Sequence, residues 1–160
     1  MNYPALIGLC LTAGLRAAIA PAVLSHYLAK RPNRSLPSPL SFLSSQQAAW
    51  ALKMMAAGEL VVDKLPGIPP RTYPPALAMR LASGGLVGAA AAGVNRKRLL
   101  GGALLGALAA TAGAYGGFAL RTWARSRYNL PDTLVGAVED TLAVGAGVRL
   151  GAQIDAGDRR

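Results

Sequence analysis

An all-α, polytopic integral membrane protein with about five membrane-inserted helices is the fold class this sequence predicts, and three observations carry it. Hydrophobic residues fill 52% of the 160 positions and charged residues only 15%. Soluble domains carry roughly 25% charge, so this chain has too little polar side chain to cover a soluble surface. The 22 residues from Leu99 to Leu120 contain no charge at all, and roughly 20 apolar residues suffice to cross a bilayer as a helix. Finally, the cations of a chain with net charge +10 gather in short clusters between apolar runs, "AKRPNR" (29–34), "NRKR" (95–98) and "RTWARSR" (121–127). Basic clusters of this kind anchor membrane-protein loops at anionic headgroups.

The first apolar segment runs from about Pro4 to Leu28 and reads as one span, interrupted only by Arg16 and Pro21. A Pro/Ser-rich loop follows (31–45), whose "LSFL" is expected to lie at the membrane interface. The second segment, about Gln47 to Leu65, carries Lys53, Glu59, Asp63 and Lys64 and is stopped by Pro66. Five of the ten residues in "PGIPPRTYPP" are proline, so 66–75 is not helical throughout. The third segment spans about Ala76 to Val94 with Arg80 near its start, and "NRKR" turns the chain into the uncharged fourth. "RYNLPD" introduces the fifth, about Asp132 to Ile154, with Asp132 or Thr133 near its N-terminus and with Glu139, Asp140 and Arg149 inside it. Residues 1–154 form one transmembrane domain by this reading, and 155–160 a polar tail.

Several chemistries are excluded by composition. Cys10 and His26 are the only cysteine and histidine, so the chain holds neither a disulfide framework nor a Cys/His metal set nor a Ser-His-Asp triad. No enzyme activity and no cofactor is expected. "GGLVGAAAAG" lies within an apolar helix with neither a preceding strand nor a following Lys-Ser/Thr, so it is no nucleotide loop. Nucleic acid is not an expected partner, because the cations lack a continuous face with interleaved aromatics.

The charges inside the apolar segments are the candidate site: Arg16, Glu59, Asp63, Arg80, Glu139 and Asp140. A lone charge at mid-bilayer costs about 2.5–3.5 kcal/mol on insertion scales, so such groups are expected to meet partners. Arg16, Lys53 and Arg80 are the available counter-charges for Glu59, Glu139 and Asp140. Glu59 and Asp63 are spaced i, i+4 on one helical face, about 6 Å apart along the axis. Lys64 and Arg71 are expected as interface anchors. Gly84/Gly88, Gly102/Gly106, Gly113/Gly117 and Gly147/Gly151 have the small-xxx-small spacing that lets membrane helices approach closely.

"TAGLRAAIA" (12–20) and "TAGAYGGFA" (111–119) echo each other, and each precedes a basic loop and then a helix with a glutamate. Two readings follow: an inverted repeat of helices 1–2 and 4–5 around helix 3, or a likeness of Ala/Gly-rich helices by composition. With five spans the loops 29–45 and 95–98 share a side with the C-terminus. Their excess of Lys and Arg puts that side in the cytoplasm and the N-terminus opposite.

The blocks "GLRAAIAPAVLSHYLA", "GELVVDKLPGIPPRTYP", "RLASGGLVGAA", "GALLGALAATAGAYGGFALR" and "LPDTLVGAVEDTLAVGAG" together resemble a bacterial membrane-protein family catalogued as domain of unknown function 4126. The resemblance covers roughly 8 to 154, and its "GE…DKLP" and "ED" blocks are the most specific. It implies a small multi-pass protein of the bacterial inner membrane and no established activity. Arg16, Glu59, Asp63, Lys64, Pro66, Arg71, Arg80, Pro131, Asp132, Glu139 and Asp140 fall on the family's recurrent polar or punctuating positions. The function expected is a small transporter or channel for an ion or small solute using buried carboxylates, open to homo-oligomerisation. The alternative is a membrane scaffold or accessory subunit whose intramembrane charges lock helix packing.

Overall fold

The computed structural model describes residues 3–31, 36–62, 73–128 and 131–156, and every regular element among them is helical. The α-helices are α1 (Tyr3–Leu15), α2 (Ile19–Ala29), α3 (Gln46–Val62), α4 (Pro74–Val94), α5 (Leu99–Tyr128) and α6 (Asp132–Ala156), with a 3₁₀ helix at Ser38–Ser44. Local chemistry accounts for most boundaries. Pro74 opens α4, where a missing N–H costs nothing. Arg96 takes a left-handed backbone (φ 52°) in the tight turn from α4 to α5, and Asn95 Nδ2 donates to the carbonyl of Ala91 at 2.7 Å. Asp132 begins α6 as its sequence suggests.

The first apolar segment departs from expectation. It forms two helices, separated at Arg16–Ala18, although Leu15, Arg16, Ala17 and Ala18 are all good helix formers. Pro21 is not the cause, since it sits in the first turn of α2, where no donor is required. The two helices also run in opposite directions. Along α1, Leu11 and Gly14 pack against Gly113 and Leu15 against Gly117, so α1 follows α5 in the same sense. Cys10 Sγ meets the carbonyl of Gly84 at 3.8 Å and Arg80 Nε donates to that of Gly14 at 3.0 Å, so α1 runs against α4. Beyond Ala18 the direction reverses. Arg16 pairs with Asp140, Ile19 and Val23 pack on Gly147, and Val23 and Tyr27 on Gly151, so α2 follows α6. Gly8, on the opposite arm, lies beside Leu150.

Residues 3–29 are therefore a helical hairpin with its tip at Arg16–Ala18, and not one span. This corrects the expected topology. The start of α1 and the end of α2 lie at the same end of the molecule, together with Pro37, which packs on Gly93, and the 95–98 turn. The helix directions place the end of α6 there too, so the N-terminal hairpin base and the C-terminal end of α6 share a side. The inverted repeat is not supported: α1 and α5 run parallel, and α5 continues unbroken through its copy of the echoed motif.

Glycine sets how closely the arms approach. A Cβ on Gly88 would collide with the backbone of Gly102, and one on Gly84 with that of Gly106, and the reverse holds for each. Gly113 and Gly117 seat α1, and Gly147 and Gly151 seat α2. Gly84/Gly88, Gly102/Gly106 and Gly113 thus meet neighbouring backbone, whereas Gly117, Gly147 and Gly151 receive the side chains of Leu15, Ile19, Val23 and Tyr27, two ways in which small residues let helices approach closely. The core is built of Leu9, Cys10, Ala13, Leu24, Leu28, Val87 and their neighbours.

Outside this core the surface is strongly apolar. Leu100, Leu104, Leu105 and Leu108 on α5, Met54 and Met55 on α3, and Val138 and Leu142 on α6 are each more than half exposed. By length and composition α4 and α5 can cross a membrane. The "LSFL" stretch divides: Leu40 and Leu43 are buried, with Ser25 Oγ donating to the carbonyl of Leu43 at 2.7 Å, and Ser41 and Phe42 face outward. The basic "RTWARSR" run is the last part of α5 and not a loop.

Candidate functional site

A helix broken inside an apolar bundle leaves amides and carbonyls without their intrahelical partners, each costing several kcal/mol if nothing replaces them in a membrane. At the hairpin tip, side chains from α3 and α4 replace them. The two oxygens of Glu59 accept from the backbone N–H groups of Ala17 (2.9 Å) and Ala18 (2.8 Å). A carboxylate here also meets the positive end of the α2 dipole. At the other side of the break Arg80 donates through Nε to the carbonyl of Gly14, near the negative end of α1, and through its guanidinium to Ala76 at 3.1 Å. Ser83 Oγ donates to the carbonyl of Ala17. Glu59 and Arg80 are themselves 4.0 Å apart, so one ion pair bridges the two ends of the broken helix.

Arg16 at the tip is 1% exposed and forms an ion pair with Asp140 on α6. Asp140 shares an inward stripe with Ala143, Gly147, Gly151 and Ile154, a spacing that keeps one face of α6 toward the hairpin. Next to it Glu139 faces Arg121 of α5 at 3.9 Å, and its carboxylate lies against Gly117.

Five of the six residues singled out in the sequence therefore converge on the tip or one turn from it: Arg16, Glu59, Arg80, Glu139 and Asp140. The pairing differs from expectation in two respects: Lys53 does not join the acids, and Glu139 meets Arg121, a residue assigned to a headgroup loop. Its signal is helical spacing: Gly113, Gly117 and Arg121 recur every four residues, which puts Arg121 on the packed face. Lys53 belongs elsewhere, with Nζ 2.9 Å from His26 Nδ1 and 4.8 Å above the Trp50 ring. Asp63, Lys64 and Arg71 lie outside the described residues.

A cleft of about 680 Å³ reaches the tip between α2, α3 and α4. Its polar wall is Glu59, Arg80 and Ser83; the rest is apolar, including Pro21, Leu52 and Met79. From Ala76 to Leu86 it follows α4 for about 15 Å at 1.5 Å per residue. Val62 and Ala76 mark its far extent, toward the end of the molecule opposite the hairpin base. Among the described residues no cluster of His, Cys, Asp and Glu suited to a metal ion occurs.

No curated protein and no solved structure matches the chain. One family model does, over residues 4–151, a stretch that takes in both hairpin arms, Glu59, Arg80, Arg121 and the acidic pair of α6; the chain belongs to the family described as Domain of unknown function (DUF4126).

Proposed function

We propose that this chain is a small multi-pass membrane protein that carries or conducts an ion or small solute, with Glu59 at the hairpin tip as its responsive group. The observation that carries the reading is a coincidence of two roles in one carboxylate. Glu59 holds the broken helix together through Ala17 and Ala18, and it lines the cleft that extends toward the far end. A group with both roles couples what occupies the cleft to the shape of the tip. A proton or cation arriving at Glu59 weakens its hold on the two amides and on Arg80. That leaves the positive end of α2 and the Arg80 guanidinium facing the cleft. Irregular backbone at membrane depth is tolerated where it is enclosed by protein or lines a hydrated cavity, and helix ends at mid-membrane are a recurrent means of holding solutes and ions in transporters.

In this reading α3, α4, α5 and α6 cross the bilayer and the α1–α2 hairpin enters and leaves from one side. The exposed leucines, methionines and valines on the outward helix faces support it. Lys30, Arg31, Arg96, Lys97 and Arg98 cluster at the hairpin base, and the positive-inside tendency supports a cytoplasmic position for that end and for the end of α6 in this reading.

A second reading is favoured by the buried Arg16–Asp140 pair and the interlocked glycines: a scaffold in which the charges fix helix register. Flux in proteoliposomes separates them. A screen of proton, alkali-cation and small-anion fluxes is run on the wild type and on Glu59→Gln, each checked for monodispersity and helicity. A wild-type flux that falls at least tenfold in an assembled Glu59→Gln variant supports transport. An assembled variant with the same flux, or no wild-type flux across the screen, sinks it in favour of the scaffold.

A further inference from the structure

Toward the hairpin base a second cavity, about 580 Å³, lies between α1, α4 and α5. Its floor is made by small residues of α4 and α5, among them Gly88, Ala92 and Gly102, and its walls by Leu6, Ile7 and Leu105. Ile7 and Leu105 are both more than half exposed, and Gly101 on the rim has nothing within 4 Å of where a Cβ would stand, so the cavity is a lateral groove facing outward. Its polar mouth is the α4–α5 turn, where Arg96, Lys97 and Arg98 line it and are all exposed. Among the described residues no acidic side chain lines it.

The dimensions and the charge together identify an occupant. From Arg98 to Ala109 the groove follows α5 for about 16 Å at 1.5 Å per residue, half of a hydrocarbon layer of about 30 Å. A ligand that fits is apolar over the depth of one leaflet and anionic at the level of the headgroups. We propose that this groove holds one acyl chain of an anionic phospholipid, with the headgroup phosphate against Arg96–Lys97–Arg98. Basic turns attract anionic membrane surfaces generally; what the groove adds is a seat for the chain, and hence a bound lipid as distinct from a diffuse layer. The inference rests on the membrane-inserted part of the reading above and not on transport.

The test is native mass spectrometry of the full chain in detergent, with phosphatidylglycerol or phosphatidylcholine of identical acyl chains added. Three proteins are compared. One is the wild type. The second carries Arg96→Asn, Lys97→Gln and Arg98→Gln, with asparagine chosen at 96 because it adopts the left-handed backbone of that position readily. The third is Gly101→Trp, which fills the groove from its open rim and leaves every cation in place. The expected result is one phosphatidylglycerol retained per wild-type chain, at least fivefold over phosphatidylcholine, and a fall of at least fivefold in both variants. Retention that survives Gly101→Trp reduces the effect to surface attraction and overturns the proposal. So does equal retention of the two lipids, or competition by glycerol phosphate as strong as by the lipid, which would mean an anion site without a chain seat. A wild-type dimer lost in Gly101→Trp would give the groove to a second copy and overturn it equally. If the chain is soluble without detergent, the membrane reading fails first and this inference with it; if it needs detergent but retains no phosphatidylglycerol, this inference alone fails.

Discussion

At the scale of single residues, the hairpin tip is a case in which side chains replace a helix's own hydrogen bonds. Glu59 supplies acceptors for two amides, Arg80 and Ser83 supply donors for two carbonyls, and Arg16 is held from α6 by Asp140. The last of these offers a clean measurement. Arg16→Met removes the guanidinium facing a buried carboxylate, a change that typically costs about 3–5 kcal/mol. We expect a loss of that size in unfolding from mixed micelles. The double variant Arg16→Met/Asp140→Leu should recover most of it, because replacing both members of a buried pair with apolar groups is often neutral. A double variant as unstable as the single one would show that Arg16 acts through something other than Asp140. The roles of Glu59, Arg80 and Asp140 as charged partners were legible in sequence, since an isolated charge in an apolar segment must find one. Arg121 was not, because it stands at the edge of a basic run that reads as a loop.

Among the elements, close backbone contact between α4 and α5 does what large side chains do in soluble cores. The contact depends on Gly88 and Gly102 meeting backbone to backbone, whereas Gly145 on α6 has nothing within 4 Å of its Cβ position. Gly88→Leu should therefore separate α4 from α5 and lower stability by about 1–3 kcal/mol or more, the cost of overpacking. Gly145→Leu should change it by no more than about 0.5 kcal/mol. Thermal unfolding of both variants in one detergent checks this, and equal losses would refute the crossing. The four glycine pairs were readable as small-xxx-small spacing, but their partners were not, because spacing describes one helix at a time. The hairpin has no local breaker at its tip: Leu15-Arg16-Ala17-Ala18 holds neither proline nor glycine, and Arg16 reads as a charge within one continuous span.

For the whole molecule, the reversal at the tip changes topology. Five straight spans would put the two termini on opposite sides; the proposed hairpin followed by four crossings would put them on the same side. Tags at the N- and C-termini, probed by protease in sealed right-side-out and inverted vesicles, should become accessible together. Accessibility in opposite vesicle preparations would restore the five-span arrangement. The cleft toward one end and the lateral groove toward the other are also properties of the assembled bundle, each drawing residues from three helices that are distant in the chain.

By itself the sequence determined the class of architecture, packed helices, and set the expectation of an apolar medium, which α4 and α5 fit by length and composition. It also determined which charges must be explained. Only the tertiary structure decided that the first run folds back on itself. The physical reason is that the break has no local cause: its free backbone groups are stabilised by Glu59, Arg80 and Ser83, which reach the tip from more than forty residues away in the chain.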